Sequence, residues 1–251
     1  MILVVDIGNS RIKWARVSEG KLVDVDNALS SQFPEKSLKL MAEQLPSEIT
    51  QVTVANVAGN EMASALTSVC SDHWGIRPEF IVPKKKWQNI TCAYSDPSRL
   101  GIDRWVAMIA AYSFKKRACA VIDAGTTVTL DAVDFHGQHL GGLIMAGPGI
   151  IHSALQKETS DIGEIRFIPS VASGIEVLGK DTKTAVSNGT MFGISSALNR
   201  ALIAIMDEIK EKPVVYITGG HAEVLSSWLE TRTEYRQNLV LEGLALIATK
   251  N

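Results

Sequence analysis

Two short stretches of this sequence set an aspartate, a glycine and small polar residues in the same order: DIGNS at 6–10 and DAGTT at 123–127. A tight turn with bare backbone amides beside a Ser or Thr hydroxyl is a phosphate cradle, because successive N–H groups form an anion-binding concavity. A carboxylate next to bound phosphate repels it unless a cation lies between them. Asp6 and Asp123 on one phosphate chain therefore imply a hard metal ion such as Mg²⁺. Either motif alone is an ordinary hairpin turn. Two copies, at matching places in two halves of similar length, point to duplicated lobes that each bring one phosphate loop to the same nucleotide.

Local patterning supplies the elements that must hold these residues. Each motif ends an apolar run and opens an alternating stretch, Ile12, Trp14 and Val17 in the first and Val128, Leu130 and Ala132 in the second. That grammar is strand, turn, strand, a β-hairpin. Gly8 and Gly125 are expected to supply the turn angles and to leave the amides approachable. In the first half, 37–45, 60–74 and 102–114 read as helices and 51–58 and 78–83 as strands, with Ile102, Val106, Ile109 and Ala110 on one helical face. In the second, 189–210 reads as a long amphipathic helix with Ile194, Leu198, Leu202, Ile205 and Ile209 in register. A strand at 213–220 and a helix at 222–230 follow. The basic stretch near 115–118 divides the chain into lobes 1–116 and 117–251.

Composition narrows the class. With 251 residues, 46% hydrophobic and 21% charged, the chain can bury a sizeable core. A net charge of -2 gives no basic face for nucleic acid. Only Lys84-Lys85-Lys86 before Trp87 clusters charge, and it reads as a solvated loop. No uninterrupted apolar run reaches the roughly 18 residues of a membrane helix, and MILVV has no basic region before it, so neither a signal peptide nor a membrane is expected. Three scattered cysteines suit reduced thiols in a cytoplasm. His136 and His139 read as surface-loop residues rather than metal ligands.

The order and spacing of the motifs resemble type III pantothenate kinases over essentially the whole chain. The carrying pieces are DIGNS, LGIDRW at 100–105, DAGTT, GGLIMAGPG at 141–149, LGKDTKTAVSNG at 178–189 and ITGG at 217–220. The resemblance implies an α/β fold of the acetate and sugar kinase, heat-shock ATPase and actin superfamily: two duplicated ribonuclease-H-like lobes around an interlobe cleft. It also implies ATP-dependent phosphorylation of pantothenate to 4'-phosphopantothenate, the first step of coenzyme A biosynthesis, with Mg²⁺ and a monovalent cation, K⁺ or NH₄⁺. Asp6, Ile7, Gly8, Asn9, Ser10, Arg11, Ile12 and Lys13 would form the first phosphate loop, with Lys13 aimed at phosphate and Asp6 holding Mg²⁺ directly or through a water. Thr126, Gly219 and Gly220 would contact ATP, and Asp123 the potassium. Tyr94, Gly101, Ile102, Asp103, Arg104 and Thr182 fall at the pantothenate site, with Arg104 a fork for its carboxylate. The family also implies a homodimer whose substrate site is completed by the neighbouring subunit.

Asp103 has the sharpest role. Phosphorylating a primary alcohol needs a group that accepts the hydroxyl proton and aims the oxygen at the γ-phosphate. An aspartate at a helix start is otherwise an N-cap or first-turn acid. Ser10 stands where many family members have Thr, Asp181 where Asn is usual, and MAGPG is one residue looser than a simple Pro-Gly turn. The alternatives are a sugar or other small-molecule kinase of the same superfamily, and a non-catalytic transcriptional accessory factor. The common bacterial sugar kinases carry a cysteine-rich zinc motif that three scattered cysteines cannot supply.

Overall fold

The apolar opening of the chain becomes strand β1 (Ile2–Ile7), whose Leu3, Val4, Val5 and Ile7 are all fully buried. A strand covered on both faces reads as a continuous apolar run instead of an alternation. In the computed structural model, which describes residues 1–30, 34–159 and 177–250, β1 pairs antiparallel with β2 (Arg11–Ser18), and β2 with β3 (Lys21–Leu29). Helix α1 (Pro34–Glu43) leads to β4 (Gln51–Asn56), parallel to β1. Helix α2 (Asn60–Trp74) leads to β5 (Glu79–Phe80), parallel to β4. The sheet order is β3-β2-β1-β4-β5. Leu3, Val5, Ile7, Ile12 and Trp14 share one core cluster with Leu38 and Met41 of α1 and Leu66 and Cys70 of α2.

The strand expected at 78–83 shrinks to two ladder residues. Pro78 and Pro83 have no N–H to give, which confines the segment to a sheet edge. A two-stranded ribbon, β6 (Lys86–Trp87) with β7 (Ile90–Thr91), precedes α3 (Ile102–Lys115). Rather than one apolar face, α3 buries Ile102 and every residue from Arg104 to Tyr112. It is a core helix buried around its circumference from Arg104 to Tyr112, and the charged pair Asp103 and Arg104 in its first turn masks that in the sequence.

The second sheet is built by β8 (Cys119–Ala124), β9 (Thr127–Val133) and β10 (His139–Ala146), joined antiparallel in that order. Helices α4 (Pro148–Glu158) and α5 (Thr182–Ile209) follow. Then β11 (Val214–Thr218) pairs parallel to β8 and, after α6 (Ala222–Ser227), β12 (Thr233–Tyr235) pairs parallel to β11. The order is β10-β9-β8-β11-β12, the same plan of strand senses as in the first sheet. Helix α5 starts seven residues before the expected Gly189, with Asp181 as its N-cap, and stops at Lys210 in a left-handed conformation with φ 58°. By length and composition α5 could cross a membrane. Polar residues such as Asn188, Asn199 and Arg200 interrupt it, so no uninterrupted apolar run in the sequence shows that length. Met191, Ile194, Leu198 and Leu202 of α5 instead pack against the second sheet.

The last helix, α7 (Leu239–Lys250), contacts β1, β2, β3 and β4. A Cβ on Gly243 would lie 2.2 Å from the Val106 carbonyl oxygen, so only glycine lets α7 approach α3 this closely. The chain accordingly groups into two units, Met1–Phe114 with Asn238–Asn251, and Lys115–Gln237.

Candidate active site

The first hairpin closes with the Gly8 N–H donating to the Arg11 carbonyl at 2.9 Å. Neither Gly8 nor Gly125 has a positive φ, which corrects the expectation that they supply turn angles. At Gly8 a Cβ would press on that carbonyl at 3.2 Å, a tight contact with backbone. Asn9, Ser10 and Arg11 are exposed at the tip, while Ile7 and Ile12 point into the core, so only their backbone can face a ligand. Asp6 stands directly across the ladder from Lys13, which sets a carboxylate and an ammonium on the same side of the hairpin. Neighbours brace the loop: the Ser30 N–H donates to the Ser10 carbonyl, Arg11 Nη1 to Asn27 Oδ1 at 2.6 Å, and the Val57 N–H to the Ile7 carbonyl.

In the second unit, the Gly125 N–H donates to the Thr127 carbonyl at 3.0 Å, leaving Thr126 exposed at the tip. Asp123, one residue before the end of β8, stands opposite Thr129 and Thr218. Glycine surrounds its carboxylate: a Cβ on Gly125 would come within 3.3 Å of Oδ1, and one on Gly219 within 2.5 Å. Gly219 also has φ +96°, whereas a Cβ on Gly220 would meet nothing within 4 Å. The two glycines thus differ: Gly219 fits a crowded left-handed position and Gly220 faces open space. Next to them His221 donates its N–H to the Ala124 carbonyl, and burial holds its imidazole pKa below the usual value. The looser MAGPG loop has a reason here. The Gly147 N–H donates to the Thr126 carbonyl at 3.1 Å, and a Cβ on Gly147 would stand 2.3 Å from that oxygen.

The third group lies at the start of α3. The Trp105 N–H donates to the Gly101 carbonyl, so Gly101 is the cap and Asp103 lies inside the first turn. Asp103 Oδ1 accepts the Arg104 N–H at 2.8 Å. A Cβ on Gly101 would crowd that oxygen at 2.6 Å. Ile102 turns into the core, 7% exposed, and offers the site only its backbone. Arg104 is also only 7% exposed. Its Nη1 donates to the Tyr94 hydroxyl at 3.3 Å, and its guanidinium carbon lies 6.0 Å from the Tyr94 ring centre, a cation–π arrangement. The Lys run is not simply solvated: Lys85 Nζ donates to the Cys92 and Tyr94 carbonyls.

Thr182 is the first residue of α5 and exposed, in the other unit from Asp103. Asp181 before it accepts the Thr184 N–H at 2.9 Å, and that bond holds its carboxyl below the usual range. Asn could cap the helix equally well, so the departure from the usual Asn costs the helix nothing. His139 is corrected from surface residue to core: it is 1% exposed, and its Nε2 lies 3.1 Å from Asp131 Oδ1. The cysteines are free and buried, and burial pushes the Cys70 and Cys119 thiols up to about 12. Among the described residues no cluster of three or more His, Cys, Asp or Glu could hold a metal. Sequence reasoning missed Lys85, Gly147 and His221. Lys85 lies in the lysine run read as a solvated loop and Gly147 in the GGLIMAGPG piece, neither with a role of its own, and nothing in the sequence signals His221.

The family model for type III pantothenate kinase matches residues 2–204. The chain belongs to the type III pantothenate kinase family. A type III pantothenate kinase of Nitrosococcus oceani is 35% identical over 253 residues, covering 99% of this chain and 94% of that protein. Among solved structures, a Campylobacter jejuni protein assigned to the Baf family of transcriptional activators aligns with a TM-score of 0.61 at 20% identity, covering 99% and 98% of the two chains. An inorganic polyphosphate/ATP-glucomannokinase from Arthrobacter aligns with a TM-score of 0.52 at 16% identity, covering 100% and 99%. At those identities the likeness is one of fold alone.

Proposed function

We propose that this chain transfers the γ-phosphoryl group of ATP to the primary hydroxyl of pantothenate, giving 4'-phosphopantothenate and ADP in the first step of coenzyme A biosynthesis. The family match over residues 2–204 carries this reading. The hydroxyl oxygen bonds to the γ-phosphorus as the bond to the β-phosphate oxygen breaks, and the hydroxyl proton passes to Asp103. Its carboxylate, fixed by the Arg104 N–H, supports the role of base. Arg104 is a buried fork for the pantothenate carboxylate, with Tyr94 beside it, Gly101 and Ile102 contributing backbone, and Thr182 a hydroxyl.

The loop from Asp6 to Lys13 and the tip at Thr126 are the two phosphate loops of a duplicated ribonuclease-H-like plan, a reading that the shared strand order supports. Gly220, open to approach, accommodates adenosine, and Gly219 allows the turn. Asp6 is an oxygen donor suited to Mg²⁺, which when bound neutralises phosphate charge. Asp123, lined by glycine backbone, offers the hard oxygen environment that suits K⁺ or NH₄⁺. We infer a homodimer whose second copy completes the substrate site, since Phe192 and Ile203 of α5 remain exposed beside its buried stripe. We also infer a cytoplasmic enzyme without nucleic-acid or membrane partners, consistent with a net charge of -2. The test is ATP consumption with pantothenate beside glucose, N-acetylglucosamine and acetate. Turnover with pantothenate alone is expected; equal turnover with a sugar would overturn the assignment.

A further inference from the structure

Lys84, Lys85 and Lys86 are all exposed, and a run of three lysines is ordinarily a solvated face. The middle one behaves differently. Lys85 Nζ donates to the Cys92 carbonyl at 2.9 Å and to the Tyr94 carbonyl at 3.1 Å, while its own carbonyl accepts the Cys92 N–H at 2.9 Å. Three hydrogen bonds thus tie one residue to one short segment. The turn between β6 and β7 folds the two together.

That segment needs holding. Cys92 is fully buried, but the chain leaves the β7 ladder after Thr91 and enters the next turn only at Pro97, so Tyr94 sits on backbone outside any strand or helix. Its hydroxyl nevertheless accepts Arg104 Nη1 at 3.3 Å, and its ring lies beside the guanidinium. Arg104 is buried within α3, so the rotamer of its planar fork depends on such neighbours. Tyr94 is thus one of the contacts that set how the fork is aimed.

We propose that Lys85 is a positioning residue for substrate binding: its ammonium clamps the Cys92 and Tyr94 carbonyls and thereby fixes the Tyr94 side chain that orients Arg104. This rests on the reading of Arg104 as the partner of the pantothenate carboxylate. Lys85 acts through dipoles of the main chain, a role for which its two neighbours lack the bonds. Hydrogen bonds from a charged donor to carbonyls are stronger than neutral ones, which suits a clamp on irregular backbone.

The test is steady-state kinetics of the full-length enzyme with Lys85→Met, Lys85→Arg, Lys84→Met and Arg104→Ala, each with its melting temperature. Lys85→Met is expected to raise the pantothenate KM about tenfold, the change that corresponds to one lost charged hydrogen bond, with kcat and the ATP KM unchanged. Lys85→Arg, which keeps the donors, is expected to restore most of the affinity. Lys84→Met removes the same charge from the same run and should change nothing; an equal effect there would mean long-range attraction of the anionic substrate and would overturn the proposal. Adding Tyr94→Phe to Lys85→Met should cost less than the product of the two separate effects, because both act through one contact. If Arg104→Ala raises the pantothenate KM while Lys85→Met leaves it unchanged, the clamp is wrong and the carboxylate reading stands. If Arg104→Ala itself leaves that KM unchanged, both fail.

Discussion

Asp103 accepts the backbone N–H of the residue that follows it, Arg104, at 2.8 Å, while the helix cap itself is Gly101. The carboxylate therefore satisfies one first-turn donor without being the cap, and an amide oxygen could do the same. Asp103→Asn should fold with an unchanged melting temperature and bind ATP, yet lose about 10² to 10⁴ in kcat, the usual contribution of a general base. Wild-type turnover in Asp103→Asn would remove the base from the mechanism.

Gly219 and Gly220 separate structure from ligand contact within one dipeptide. At Gly219 alanine would add a Cβ 2.5 Å from both Asp123 Oδ1 and the Ala124 carbonyl carbon, at a φ of +96°. Gly219→Ala should cost about 2–4 kcal/mol in stability by combining left-handed strain with overpacking. Gly220→Ala, with nothing within 4 Å, should leave stability unchanged and raise the ATP KM. Urea unfolding and ATP titration of both variants check this; a stable Gly219→Ala enzyme would show that both the Asp123 carboxylate and the Ala124 backbone can yield.

How much of this could be read beforehand depended on the range of the signal. The hairpins around Asp6 and Asp123 were legible because period-2 alternation and an Asp-x-Gly turn are local. The start of α5 was not, since TKTAVSN at 182–188 has few apolar residues and Gly189 looked like a beginning. Contacts between distant segments were invisible altogether. The Tyr94–Arg104 pair, Gly147 against Thr126 and Gly243 against Val106 each depend on two elements meeting, which no local pattern encodes. His139 deceived for the opposite reason: the turn at Gly137 is real, but the histidine beyond it begins a strand and is buried against Asp131.

Potassium should be required. A larger, weakly hydrated ion suits an oxygen cage that sodium would have to distort, and the Asp123 carboxylate among glycines offers such a donor. Activity should be negligible in sodium-only buffer and restored by potassium or ammonium, and Asp123→Ala should be inactive in all three. Equal initial rates in sodium and potassium would contradict the assignment.

Activity should follow association. Phe192 is 49% exposed and Ile203 43% exposed on a helix whose opposite side is core, and a two-fold contact would cover both at once. Sedimentation at assay concentration should show a dimer. Phe192→Asp together with Ile203→Asp should give a folded monomer with little turnover. A fully active monomer would sink the inference.

Stability should fall on mild acidification through His221, whose folded pKa burial holds below the usual 6.5. The sign follows from proton counting. Below the unfolded pKa the unfolded chain binds a proton that the folded one excludes, so stability rises with pH in that interval. The contribution of neutral His221 is fully present above pH 6.5, declines as the pH drops beneath that value, and levels off once the folded pKa is passed. His221→Gln removes the titration while keeping a polar side chain of similar reach. The difference in melting temperature between wild type and His221→Gln should be constant from about pH 8 to 7 and shift against the wild type below about 6.5. Carboxylates titrate in both proteins and cancel in the difference. A difference independent of pH down to 5 would mean that His221 takes up its proton in the folded state as readily as in the unfolded chain.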